Sequence, residues 1–186
     1  MKYLGIFVDN TLSWDTQCDK LCSRLRHFVK TNTLKLLYDK TIQPIIDYAC
    51  SVWCHTKAAN ISKLQRVQNY AARIITYNFD YINSRGITLI RTLRWTTVKE
   101  RCDYFTAIMM FKAIHGLTPV YLSDAVVMAS ETHDRDTRLS KSQDANVPSH
   151  NSEVLKRSFV YNGSVIWNDL PLELKTASDL NSFKEN

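Results

Sequence analysis

The spacing of hydrophobic positions along this chain changes once, near residue 12. In the opening stretch MKYLGIFVDN, Leu4, Ile6 and Val8 fall on one face of an extended chain, Tyr3, Gly5 and Phe7 on the other. Asp9-Asn10 then gives a turn signal. The pattern predicts a strand buried on both faces. Its backbone N–H and C=O groups require partners, yet no later stretch reads as clearly as a strand. Such an orphan hangs unpaired, folds back as a hairpin, or pairs with the edge of a second copy.

From Ser13 onward the period is helical. Ser13 can cap a helix running to about Lys30, with Trp14, Cys18, Leu21, Cys22, Leu25, Phe28 and Val29 as its apolar stripe. A second pattern over 33–53 carries Leu34, Leu37, Tyr38, Ile42, Ile45, Ile46, Ala49, Val52 and Trp53; Pro44 inside it should kink or split the helix. Asn60 can cap a third helix to about Tyr77, built on Ile61, Leu64, Val67, Gln68, Ala71, Ile74 and Ile75. After a less regular stretch at 85–93, Thr97 and Glu100 form a capping box opening a helix to His115, which Gly116 can end. Thr118-Pro119 can start a short turn, with Pro at the first helical position. Residues 129–152 are polar, rich in Ser and Asp, and read as a linker or loosely packed loop. Phe159, Val160, Val165, Ile166, Trp167, Leu170, Leu172 and Leu174 restore a helical pattern, and Ser178 can cap a last stub ending at Phe183. The expected fold is mainly α, a helical bundle with one orphan N-terminal strand and a smaller C-terminal helical region. Its expected divisions are 1–12, 13–128, 129–152 and 153–186.

At 45% hydrophobic, the 186 residues suffice for a core. No run of about 18 apolar residues occurs, so no membrane partner is expected. No basic segment followed by an apolar one opens the chain, which makes an intracellular home, cytoplasmic or nuclear, the expectation. The five cysteines, an odd number without a leader, argue against a disulfide framework. The net charge of +6 is uneven: basic residues dominate 20–112, and the remainder is net acidic. The basic segment suits either a polyanion partner or ordinary solvated helix surface.

Cys18/Cys22 and Cys50/Cys54 are both C-x3-C pairs, with His55 beside the second. Four thiolates would satisfy a structural zinc. Both pairs instead sit at i,i+4 in amphipathic helices, where cysteine behaves as a small hydrophobe, so no metal is expected. The E-x-K at Glu173–Lys175 lacks the second carboxylate that a Mg2+ nuclease needs. Polymerase chemistry uses paired aspartates to clamp two metal ions, and no adjacent Asp-Asp pair occurs. His27, His55, His115, His133 and His150 are scattered, and no phosphate-cradling glycine loop is present. Neither a catalytic site nor a cofactor is expected. The positive signal is a stripe on the third helix: Lys63, Arg66, Tyr70, Arg73 and Tyr77 recur at helical spacing. Lys20, Arg24 and His27 do the same on the first helix. Cations neutralise phosphates and tyrosines stack on riboses or bases; the competing reading is basic stems covering the core edge.

Several stretches resemble the reverse transcriptases of LINE-type, non-LTR retrotransposons of jockey-like flavour. K-Y-L-G-I-F-V-D (Lys2–Asp9) with L-S-W (Leu12–Trp14) resembles their primer-grip strand. L-Y-D-K-T-I-Q-P-I-I-D-Y-A-C-S-V-W (Leu37–Trp53) is similar to their thumb segment, and L-Q-R-V-Q-N-Y-A-A-R-I-I (Leu64–Ile75) to their L-x-x-x-Q-N-x-x-x-R helix. L-R-W-T-T-V-K-E-R (Leu93–Arg101), G-L-T-P-V-Y-L (Gly116–Leu122), T-R (Thr137-Arg138), S-F-V-Y-N-G-S-V-I-W-N-D-L-P (Ser158–Pro171) and S-F-K (Ser182–Lys184) follow in order.

The resemblance implies a thumb-like helical region and a downstream C-terminal region, without the palm's aromatic-x-Asp-Asp box. It implies a truncated, non-catalytic element, with Mg2+ expected only in an intact parent enzyme. Tyr3, Leu4 and Gly5 would be primer-grip-like. Lys20, Arg24, Lys63, Arg66, Tyr70 and Arg73 become the candidate contacts to RNA, DNA or an RNA–DNA duplex. Self-association through the orphan strand, a helical protein-interaction scaffold and a decayed reading frame remain open alternatives.

Overall fold

The computed structural model describes residues 2–3, 6–7, 13–28, 34–132 and 143–185, with the backbone alone at 2–3, 24–28, 34, 132 and 185. The chain is mainly helical and divides into two compact units, 1–102 and 103–186. At the N-terminus, β1 (Lys2–Tyr3) and β2 (Ile6–Phe7) pair antiparallel, Lys2 opposite Phe7 and Tyr3 opposite Ile6. The expected orphan strand thus folds back on itself. The Phe7 N–H donates to Gln17 Oε1 at 2.9 Å, which ties the hairpin to α1 (Asp15–Phe28).

In the first unit, α1 packs along α5 (Ala58–Thr76). Asn60, expected as the cap of α5, lies inside its first turn, 1% exposed. Its amide donates instead to Ser13 O and Asp15 Oδ1, at 3.0 and 2.7 Å. Ser13 O also accepts from Thr56 Oγ1. These bonds hold Trp14 at φ 62°, a left-handed conformation that is rare for a bulky residue. Trp14 O then accepts from Cys18 N–H at 2.9 Å as the first helical carbonyl, while Ser13 Oγ accepts the Asp15 N–H at 3.4 Å.

The 33–53 pattern resolves into α2 (Leu34–Leu37), a π-helical turn (Tyr38–Ile42), α3 (Gln43–Asp47) and α4 (Cys50–Trp53). Pro44 lies in the first turn of α3, immediately after the π-helical turn, where its missing N–H and its ring disturb the normal i→i−4 ladder. The chain breaks later, at Ala49, which adopts φ 51°. The irregular stretch at 85–93 contains α6 (Gly86–Thr92). A Cβ on Gly86 would lie 2.5 Å from Asn69 Cγ, so only glycine lets α6 approach α5 there. The capping box forms as expected: Thr97 N–H donates to Glu100 Oε2 at 2.9 Å and Glu100 N–H to Thr97 Oγ1 at 3.2 Å. It opens α7 (Val98–Ile114), within which the two units meet in sequence.

One buried polar junction joins three of these segments. Gln68, 1% exposed, donates both amide hydrogens, to Tyr38 Oη and to Thr96 O, each at 2.9 Å. The Tyr38 ring stacks on Trp95 with centroids 3.9 Å apart. Burial pushes the Tyr38 phenol above its ordinary range, despite the Gln68 hydrogen bond. Nearby, Arg101 makes a two-pronged bond to Asp47, at 2.5 and 2.6 Å.

In the second unit, Gly116 at φ 66° closes α7, and Leu117 N–H reaches back to Lys112 O at 2.8 Å. Pro119 stands just before α8 (Val120–Ser123) rather than at its first position. The expected linker is partly structured: it holds α9 (Ala129–Thr132), and Ala145 is buried at 3%. Ala145 exchanges both backbone bonds with the side-chain amide of Asn168, at 2.8 and 2.9 Å, and Trp167 Nε1 donates to Gln143 O. These partners could not be read from a polar composition. Residues 133–142 of that stretch, including Thr137-Arg138, lie outside the described residues.

The remaining elements are α10 (Glu153–Lys156), α11 (Phe159–Asn168), α12 (Leu172–Lys175) and α13 (Leu180–Glu185). Asp179, in place of Ser178, caps α13 by accepting from Asn181 and Ser182 N–H. Phe111, Trp167 and Phe183 form the aromatic centre of this unit's core, with Phe111 and Phe183 centroids 4.7 Å apart. Gly163 lets α11 approach α7, since a Cβ there would meet Met110 Sδ at 2.5 Å.

Replacing Gln68 with Leu strands a phenol and a carbonyl in the interior. The expected destabilisation is about 1–3 kcal/mol, read as a lower urea midpoint at unchanged slope.

Candidate nucleic-acid interface

Helix α5 presents one face to the core and the other to solvent. Leu64, Val67, Gln68, Ala71 and Ala72 are buried, and Arg66, Tyr70 and Tyr77 are exposed. The predicted stripe does not survive as a row of free cations. Lys63 bonds Asp19 of α1 at 2.8 Å, and this bond holds its ammonium pKa up. Lys57 pairs with Asp15 in the same way at 3.2 Å. Lys20 is exposed on α1, with Nζ 5.8 Å from the centre of the Phe7 ring. Arg24 lies in α1, but its side chain, like that of His27, is outside the description.

Arg73 departs most from expectation. It is buried at 6% exposure. Its guanidinium donates to Asn78 O, Asp80 O and Ser84 O at 3.3, 3.0 and 2.6 Å, with the Tyr81 ring 4.2 Å away over its face. The arginine therefore organises the loop after α5 from beneath. Three carbonyls satisfy its donors, which leaves little for a phosphate.

That loop carries surface character which helical spacing could not reveal. Tyr77, Phe79, Tyr81 and Ile82 are all exposed, Ile82 at 92%. Asp80 Oδ1 accepts from the Ile82 and Asn83 N–H groups and fixes the turn, and these bonds lower its carboxyl pKa. Between the loop and α5 lies an open groove of about 320 Å³, lined by Arg66, Asn69, Tyr70, Arg73 and Tyr81. Among the described residues Arg66 has no ion-pair partner. The groove thus offers one uncommitted cation and two tyrosines, a combination suited to a sugar-phosphate backbone and to base stacking. Sequence reasoning missed Tyr81 and Phe79; the available signal was the run of large aromatics in the otherwise polar stretch NFDYINS.

Of the primer-grip-like residues, Tyr3 belongs to β1, without a described side chain, and Leu4 and Gly5 lie outside the described residues. Among the described residues, one cluster has the composition of a metal site: the thiols of Cys50, Cys54 and Cys102, all within 4.8 Å of one another. The bonds from Cys102 and Cys50 hold the Cys54 thiol well below its ordinary range. Cys18, by contrast, is pushed up to about 12 by burial. In the E-x-K stretch, Lys175 is buried against Asp144 at 2.8 Å and Asn168 O, while Glu173 faces solvent.

Two curated relatives share part of this sequence. A probable RNA-directed DNA polymerase from transposon X-element of Drosophila melanogaster is 28% identical over 115 residues, 55% of this chain. A probable RNA-directed DNA polymerase from transposon BS of the same organism is 31% identical over 119 residues, 57% of this chain. The matches span 12% and 13% of those relatives' own lengths. No family model matches the chain, and no solved structure matches it. The resemblance to retrotransposon reverse transcriptases thus stands on these two relatives.

Substituting Arg73 with Lys removes the fork that spans three carbonyls. The 78–84 loop is then expected to lose hydrogen-exchange protection and become cleavable, while α1 exchange stays unchanged. Asp15 gives a pH test. Bonds from Ser13, Asn60 and Lys57 lower its carboxyl from 3.8 to about 2. Its contribution is present above about pH 4 and is lost as pH falls toward its folded value. Asp15→Asn should therefore flatten the fall in stability between about pH 4 and pH 2, followed by circular dichroism.

Proposed function

We propose that these residues form a nucleic-acid-binding, non-catalytic region of a retrotransposon-type RNA-directed DNA polymerase, equivalent to the thumb and the segment after it. The supporting observation is the groove beside α5, where Arg66, Tyr70 and Tyr81 face solvent together. The two relatives supply the polymer class: a polymerase that copies RNA into DNA handles RNA, DNA and their hybrid.

The region contributes grip in this reading, and the chemistry belongs to other residues. Phosphoryl transfer by two metals requires clustered carboxylates to hold Mg2+. The described cluster of ligand-type side chains here is made of thiols, soft donors that do not suit that ion. No polymerase step is assigned to this chain's residues.

Binding should be driven by the backbone, weak in sequence preference and steeply salt-dependent. Arg66 and Lys63 would face phosphates, the latter by exchanging its bond to Asp19. Tyr70 and Tyr81 would lie against a ribose or a base. Arg73 holds Tyr81 in place and has no direct contact with the strand.

Fluorescence anisotropy with a labelled RNA–DNA hybrid at low ionic strength tests this. Lys63→Glu combined with Arg66→Glu should weaken binding at least about tenfold and reduce the salt slope by up to about 2 units. Undetectable binding by the parent chain, or equal binding by the double variant, would overturn the reading.

A further inference from the structure

We propose that Cys50, Cys54 and Cys102 form a binding site for a thiophilic d10 cation of the Zn2+ type, with His55, which neighbours Cys54 but lies outside the three-sulfur cluster, turning in as the fourth donor. The argument is geometric. Cys50 opens α4 and Cys54 immediately follows it, with the Cys54 N–H bonded to Cys50 O at 2.9 Å. That one helical turn projects both thiols to the same side. Cys102 enters from the first turns of α7, and its Sγ lies 3.4 Å from Cys50 Sγ. All three sulfurs fall within 4.8 Å of one another. His55 Nε2 lies 3.5 Å from Cys54 Sγ.

The sulfur separations approach the edges of a zinc tetrahedron, and the Cys54–His55 separation matches one sulfur–nitrogen edge. Zn–S bonds of about 2.3 Å and Zn–N bonds of about 2.0–2.1 Å put sulfurs about 3.8 Å apart and sulfur and nitrogen about 3.5 Å apart. The four residues are 2%, 6%, 1% and 8% exposed, in the order Cys50, Cys54, Cys102, His55, so a cation there would be shielded from competing water. Three thiolates and an imidazole select a soft or borderline ion over Mg2+ or Ca2+. Binding replaces thiol protons with the metal, and those protons leave to solvent.

The set differs from the one that sequence spacing suggests. Cys18 and Cys22 occupy α1 and are not in the cluster, and Cys102, which has no cysteine partner in sequence, supplies the third sulfur. A bound ion would cross-link the turn after Ala49 to the start of α7, independently of any nucleic acid.

The test uses the full chain, reduced, stripped of metal and titrated with Co2+ as the probe. One equivalent should produce thiolate-to-cobalt charge-transfer absorption together with the d–d bands of a tetrahedral site, and Zn2+ should displace it. Cys18→Ala with Cys22→Ala should keep the spectrum. Cys54→Ala and Cys102→Ala should each abolish the stoichiometric charge-transfer band, and His55→Ala should alter the d–d region while leaving charge transfer. Because a core variant can fail to fold, zinc-dependent protection of Cys50, Cys54 and Cys102 from alkylation in the unmutated chain, mapped by mass spectrometry, is measured beside it. A folded parent chain with no charge-transfer band and no such protection overturns the proposal, as does a band that persists in both folded cysteine variants. An unchanged d–d region in His55→Ala removes His55 from the donor set.

Discussion

Two glutamine amides on α5 hold the first unit together at the point where α7 begins. Gln65 Oε1 accepts the Val98 N–H at 3.0 Å, one of the donors that a helix start leaves without an internal partner. Gln65 Nε2 donates in turn to Gln68 Oε1 at 2.8 Å, and Gln68 donates to Tyr38 and Thr96. A buried amide left unpaired is costly, and a fully paired one specifies geometry. This short chain therefore fixes the register of α5 against both the π-helical turn and the entry to α7. The capping box, the Tyr38–Trp95 stack and the Asp47–Arg101 pair all sit around it.

The stretches that carry the family resemblance are largely the stretches that make this junction. Tyr38 and Asp47 come from one, Gln68 and Arg73 from another, Trp95, Thr97 and Arg101 from a third. Each engages a residue of a different stretch or closes a local turn. In the second unit Trp167 and Asn168 do the same for 143–145. The motifs are thus chiefly folding constraints.

That distinction changes how the positive charge of this chain should be read. Several of the basic residues are spent within the fold: Arg73 on carbonyls, Arg101 on Asp47, Lys63 and Lys57 on carboxylates of α1, Lys175 on Asp144. Exposed pairs such as Lys63–Asp19 hold loosely and can exchange partners. Arg73, with three carbonyl bonds beneath a tyrosine ring, cannot do so without opening the loop. Among the residues of the α5 stripe, Arg66 is the exposed cation without an ion-pair partner among the described residues.

The helical character, the capping box at Thr97–Glu100, the glycine end of α7 and the core positions Leu64, Trp53 and Trp167 were legible in the sequence. Period, caps and turn residues act over a few neighbours, and such local terms can be read in one dimension. The hairpin of 2–7 was one of three open outcomes, while the inward turn of Arg73, the cross-chain role of Asn60 and the packing of Ala145 were not legible. The last three depend on partners between 5 and 47 residues away in sequence, such as Ser13 for Asn60 or Asn168 for Ala145. The grouping of Cys102 with Cys50 and Cys54 has the same origin. Spacing told which residues share a helix face; only the tertiary structure decided which of them meet solvent, because a long side chain at the edge of a face follows whatever carbonyl or carboxylate folding brings within its reach.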